Sequence, residues 1–124
     1  MTLLLVMVGA AVGAPSRWLL DQAIQSRHDS VFPWGTWTIN VLGSLLLGVI
    51  LSLAHVGHVA TGVVALLGTG FCGGFTTYST FSYETVRLMQ EGSRFVALLN
   101  VLASVIVGFL AATAGWYGTQ ALWP

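Results

Sequence analysis

Charge is scarce in this chain of 124 residues: Asp, Glu, Lys and Arg make up 6% of it, against roughly 25% in a soluble domain. No charged residue occurs from Phe32 through Tyr83, nor from Phe95 onward. With zero net charge and no cluster of Lys or Arg, nothing is available to neutralise a phosphate backbone, which argues against nucleic acid as a partner. A single cysteine, Cys72, excludes an internal disulfide and a Cys-rich metal site. No Ser–His–carboxylate grouping or convincing metal triad is present, so an enzyme is not expected; His55 and His58 read as turn residues. The first stretch lacks the basic segment of a signal peptide and is closed by Arg17 and Asp21.

What remains is apolar: 56% of the residues are hydrophobic. A membrane-spanning helix takes about 20 of them in a row. The long charge-free stretch therefore holds two spans, the C-terminal stretch one and the N-terminal stretch another. The predicted spans are 2–22, 34–55, 59–86 and 95–121, an all-α membrane protein forming one four-span domain over residues 1–124. Loops are marked by Gln25 to Pro33 with Arg27 and Asp29, by the short His55–Val56–Gly57–His58 turn, and by Glu91–Gly92–Ser93–Arg94. Spans two and three must be antiparallel neighbours. Fifteen glycines in so short a chain favour dense helix contacts. Gly9 with Gly13, and Gly43 with Gly48, are open either to packing within one subunit or to pairing between subunits, and a homo-oligomer is the default.

The third span carries an anomaly. Residues 70–85 read GFCGGFTTYSTFSYET, a Gly- and hydroxyl-rich run where an uninterrupted apolar helix would be simplest. The adjacent glycines Gly73 and Gly74 mark an expected helix break near the middle of the span. In lipid, each backbone group freed by a break costs several kcal/mol unless protein, water or an ion satisfies it. Interrupted helices near mid-membrane build ion and substrate sites in transporters. Polar stripes occur on two other spans: Thr36 with Asn40, and Asn100 with Ser104 and Gly108, each at four-residue spacing and so on one helix face. Such residues serve either as interhelical hydrogen bonds or as pore lining. Donors without a buried carboxylate suit an anion better than a cation. Tyr78 and Phe81 share a face, beside Ser79 and Ser82. A ring presented edge-on favours a small anion without a formal charge.

The run GFCGGFTTYSTFS resembles the signature of the Fluc/CrcB family of fluoride channels, usually written around GGxTTFSTF. GAPSRW (Gly13 to Trp18), PWGTWTINVLGSLLLG (Pro33 to Gly48) and ALLNV (Ala97 to Val101) are similar to that family's other spans, so the likeness covers essentially the whole chain. Tyr78 stands where the family more often has Phe. The resemblance implies an antiparallel, dual-topology homodimer in the bacterial inner membrane, exporting fluoride passively. Carried over by residue, Asn40, Tyr78 and Phe81 line or coordinate the path, with Ser79, Ser82 and Ser104 along a polar track. The carbonyls of Gly73 and Thr76 are implied ligands of a structural Na⁺, and Arg17 matches the family's first-span arginine. Neutral carbonyls without a carboxylate suit a monovalent ion better than a divalent one. Fluoride is small and strongly hydrated, so a pore must replace its water with compact donors and yet release it.

Two other readings are weighed. A small proton-coupled multidrug exporter needs an intramembrane carboxylate; only Asp21 and Glu84 are available, both near span ends. A non-transporting assembly subunit leaves the TTYSTFS run unexplained. Orientation is contested between two expectations. Arg17, Arg27, Arg87 and Arg94 all fall on one predicted side, which by the positive-inside rule puts both termini outside. The resemblance implies dual insertion instead, and with Asp21, Asp29, Glu84 and Glu91 nearby, dual insertion is the reading kept.

Overall fold

The computed structural model describes residues 1–28 and 31–122; Asp29, part of the first predicted loop, lies outside the described residues. These residues form helices and no strand. Helix α1 (Thr2–Gln25) and α2 (Trp34–His55) are each long and apolar enough to cross a membrane, as is α6 (Arg94–Leu122). Between α2 and α6 the chain is pieced together. A short α3 (Thr61–Val63) leads into a nine-residue π-helix (Val64–Cys72), then α4 (Gly73–Phe75), and α5 (Ser79–Gln90) follows after an interruption.

Contacts along α2 show that this composite segment also runs the length of the bundle. Gly68 packs against Leu47 and Ile50, the Thr77 backbone pairs with Asn40, and the Thr36 hydroxyl donates to Glu84. The three contacts step backwards along α2 as the third segment advances, so the two are antiparallel. Against α1 the third segment runs parallel: a Cβ at Gly9 would strike the Leu66 carbonyl, and one at Gly13 the Phe71 carbonyl. α2 and α6 are parallel, with Gly48 against Ala112 and the Ser52 hydroxyl donating to the Trp116 carbonyl at 2.9 Å. Four crossings result.

The glycine pairs predicted as close-approach faces are all consumed within this one chain. Gly9 and Gly13 seat the π segment, Gly43 meets the Thr76 methyl, and Gly48 meets α6. Small residues are what permits backbones to approach so closely in lipid, where no hydrophobic force drives helices together. Two tight turns are equally legible. Gly57 and Gly92 have φ of +82° and +85°, and each follows a helix end. His58 N–H donates to Leu53 C=O and Ser93 N–H to Leu88 C=O, both at 2.8 Å. This is the Schellman closure, which satisfies the last carbonyls of α2 and α5 and favours glycine at the left-handed position.

The helix break is displaced from its expected place. Gly73 and Gly74 are helical, and the chain leaves helical geometry at Thr76, where ψ is +162°. The physical reason is packing. A Cβ at Gly74 would lie 2.9 Å from the Ala10 backbone, so this glycine exists for contact with α1 and not for backbone freedom. The turn itself is built by threonines.

Candidate functional site

Thr76 to Tyr78 interrupt the third crossing, and their backbone groups need partners. Asn40, on α2, supplies them with one side chain. Its Nδ2 donates to the Thr77 carbonyl at 3.0 Å, and its Oδ1 accepts from the Thr77 N–H at 2.9 Å. The amide thus pairs with both backbone groups of Thr77, as a residue of a neighbouring strand would. Thr77 in turn begins the next helix: its Oγ1 accepts from the Thr80 N–H at 3.2 Å, the role of a capping hydroxyl. The Thr77 hydroxyl also meets Thr80 Oγ1 at 3.2 Å and lies 3.4 Å from the Ser79 hydroxyl.

These substitutions release two carbonyls. In a continuous helix Gly73 C=O would accept from the N–H of residue 77, and Thr76 C=O from that of residue 80. Both N–H groups are turned to side chains instead, to Asn40 Oδ1 and to Thr77 Oγ1. Gly73 is exposed on the subunit, and a Cβ there would meet nothing within 4 Å.

Beside the break lies a groove of about 640 Å³, open along one side. Its polar lining comes from Asn40, Ser44, Thr69, Thr76, Thr77, Tyr78 and Ser104, its apolar part from residues such as Phe81, Leu47 and Val105. None of its lining residues is charged. Most hydroxyl protons there already have acceptors: Ser44 donates to the Asn40 carbonyl at 2.8 Å and Thr76 to the Cys72 carbonyl at 2.7 Å. Ser104 makes a longer bond of 3.3 Å to Asn100 Oδ1. Asn40 keeps one N–H beyond its bond to Thr77, since a primary amide has two.

The predicted site residues divide accordingly. Asn40, Tyr78, Phe81 and Ser104 come together in the groove, along with Gly73 and Thr76. Ser79 and Ser82 are not among its lining residues. Arg17 also lies outside it, half-buried on α1 with a buried Nε that has no partner among the described residues. Asn100 is 1% exposed and faces inward, its Nδ2 donating to Thr85 Oγ1 at 2.9 Å while Thr85 donates to the Phe81 carbonyl at 2.8 Å. Of the predicted α6 stripe, then, Ser104 reaches the groove and Asn100 fastens α5 to α6. Ser44 escaped notice although it lies four residues from Asn40, on the face already recognised. In the sequence Thr77 is one member of a hydroxyl run; its capping role depends on a turn that spacing does not reveal.

Tyr78 is 80% exposed, its ring 6.2 Å from that of Phe81, and it stands at the mouth of the groove. A groove with amide and hydroxyl groups in a largely apolar lining, beside a broken helical segment and among three helices long and apolar enough to cross a membrane, defines the class: a multi-pass membrane protein with the architecture of a channel or transporter subunit. Comparison with known proteins narrows that class. Residues 4–116 match the family described as CrcB-like protein, Camphor Resistance (CrcB). The chain is 54% identical over 123 residues to "Fluoride-specific ion channel FluC 1" of Streptomyces avermitilis, covering 99% of each. It is 44% identical over 115 residues to "Fluoride-specific ion channel FluC" of Geobacter sulfurreducens, covering 92% of this chain and 93% of that one. The chain belongs to the CrcB family.

Proposed function

We propose that this protein is a fluoride-selective channel of the bacterial inner membrane that lets cytoplasmic fluoride leave passively, and that it is not an enzyme. The observation that carries this is the groove: amide, hydroxyl and ring groups converge on a break in a membrane helix, with no charged side chain among them. The names of the relatives point to the same ion. A small anion can be held by neutral donors strongly enough to shed water and weakly enough to move on. Asn40 contributes its spare N–H, Tyr78 and Phe81 their ring edges, and Ser104 a hydroxyl whose present bond is long enough to exchange. Ser79 and Ser82 join the polar track where α5 emerges from the groove.

Two further parts of the reading rest on the same site. The groove is open on one side and its most prominent ring is uncovered, so a second subunit lying antiparallel is proposed to close it. Identical chains can form such a pair wherever both orientations are available, with lipid covering the remaining apolar faces. The freed carbonyls of Gly73 and Thr76 fit a monovalent cation, proposed as a structural Na⁺. They are neutral oxygens without a neighbouring carboxylate, and an ion there replaces the donors that the break removed.

The test is efflux from liposomes reconstituted with purified protein, after detergent has allowed subunits to pair in either orientation. Fluoride should leave and chloride should stay. No fluoride efflux above protein-free liposomes overturns the proposal.

A further inference from the structure

The donors assigned so far sit at the break or beyond it, toward the arginine end of the bundle, where Arg87 and Arg94 flank the turn between α5 and α6. Asn40 holds Thr77, and Phe81 follows in α5. Ser104 stands level with Asn40, because Gly108, four residues further on, meets Ser44. The groove nevertheless continues the other way, past Gly73 and Cys72 to Gly68, with Leu47 on the opposite wall. The hydroxyl that the third crossing gives to that half is Thr69's.

A helical Ser or Thr can donate its proton to the carbonyl four residues earlier. Ser44 and Thr76 do so, at 2.8 and 2.7 Å, while Thr77 donates to Thr80 Oγ1 and Ser104 to Asn100 Oδ1. Thr69 is different: it lines the groove exposed, and its hydroxyl has no hydrogen-bond partner among the described residues. The π winding of Val64–Cys72 is the cause. In such a helix each N–H reaches the carbonyl five residues back, so the Ala65 carbonyl, four before Thr69, is turned toward Gly70. A Cβ on Gly70 would lie 3.1 Å from that oxygen. Tyr78 carries the groove's other uncommitted hydroxyl, and it lies beyond the break. What sets Thr69 apart before the break is a spare donor, and a spare donor serves an anion.

We infer that Thr69 is a further fluoride-contacting residue, the hydroxyl that meets the ion on the side of the break away from Phe81; this rests on the fluoride reading given above. The path then has a donor on each side of the break instead of a cluster at one. A single neutral hydroxyl exchanges for one water of the ion's shell without holding the ion fast. Its proton approaches a small ion more closely than a large one, so the contact favours fluoride over chloride.

Two substitutions test the hydroxyl. Thr69→Val removes it and keeps the branched shape; Thr69→Ser keeps it and gives up a methyl group. Each is compared with the original chain for unfolding temperature and oligomeric state in detergent, and for fluoride and chloride efflux from liposomes. Thr69→Val should lower fluoride efflux about tenfold, the scale of one lost hydrogen bond to an ion, with fold and assembly unchanged. Thr69→Ser should retain most of the efflux. If Thr69→Val does not fold, Thr69→Ala, which adds no bulk, takes its place in the same comparison. Efflux in the folded valine or alanine variant equal to that of the original chain overturns the assignment of Thr69 alone. Equal losses in the serine and valine variants make the effect one of packing and overturn it as well. So does a valine variant that loses its subunit partner, since the hydroxyl then serves the partner and not the ion. An original chain that passes no fluoride overturns the channel reading itself, and Thr69 with it.

Discussion

Asn40 holds the break and is proposed to serve the fluoride path as well, so its substitution can be told apart from that of Phe81. Its amide satisfies both the N–H and the C=O of Thr77, so Asn40→Ala leaves two polar groups of the break without partners, each costing about 1–3 kcal/mol. We expect a lower unfolding temperature in detergent together with lost fluoride efflux. Asn40→Asp retains the acceptor for Thr77 N–H but sets a carboxylate against the Thr77 carbonyl, and should lose efflux as well. Phe81 holds no polar group of the break through its side chain. Phe81→Ile removes the ring edge while keeping an apolar residue, and fluoride efflux should fall about tenfold, equivalent to about 1.4 kcal/mol, with assembly unchanged. Wild-type efflux in a folded Phe81→Ile protein removes that ring from the path.

Helix pairs in this bundle are set by glycines, and their contacts differ enough to be ranked. At Gly13 an added Cβ would collide with the Phe71 carbonyl and sit 3.0 Å from Phe75 N. Gly13→Ala must therefore push α1 off the π segment, and overpacking of this kind costs about 1–3 kcal/mol. Gly118, in α6, has nothing within 4 Å of the same position. Gly118→Ala should stabilise by about 0.5–1 kcal/mol through helix propensity alone. Thermal unfolding in one detergent compares the two directly, and equal shifts would contradict the packing described for α1. The pattern was only half legible beforehand. Spacing identified Gly9, Gly13, Gly43 and Gly48 as small-residue faces, but which helix each face meets depends on the bundle's arrangement.

At the scale of the whole molecule, the proposed second subunit and the proposed cation would meet at the open groove and the freed carbonyls of Gly73 and Thr76. An ion held at both subunits' breaks would contribute to dimer stability by mass action, since it binds only the assembled state. Replacing Na⁺ by a bulky organic cation should therefore lower the unfolding temperature of the proposed dimer and its fluoride efflux together. If neither changes over a wide range of Na⁺ concentration, the carbonyls are satisfied by something other than that ion. Thr36 and Glu84, bonded to each other at the arginine end of the bundle, lie apart from this test.

The amino-acid sequence by itself determined that the chain is a multi-pass helical membrane protein. Apolar stretches of this length satisfy their backbone in lipid by closing the hydrogen bonds of a helix within each stretch. It also located the turns at Gly57 and Gly92, where a left-handed residue closes each helix, and it flagged 70–85 as the stretch that breaks the pattern. Only the tertiary structure decided where the break falls. Gly73 and Gly74 look like breakers in isolation, yet α1 packs against Gly74 and keeps it helical, while Asn40, 37 residues away in the chain, stabilises the turn at Thr77. The same holds for the polar stripes: periodicity places Ser104 and Asn100 on one face of α6, but their neighbours send one to the groove and the other into contact with Thr85. A period records which residues share a face; what that face meets is a property of the packed bundle.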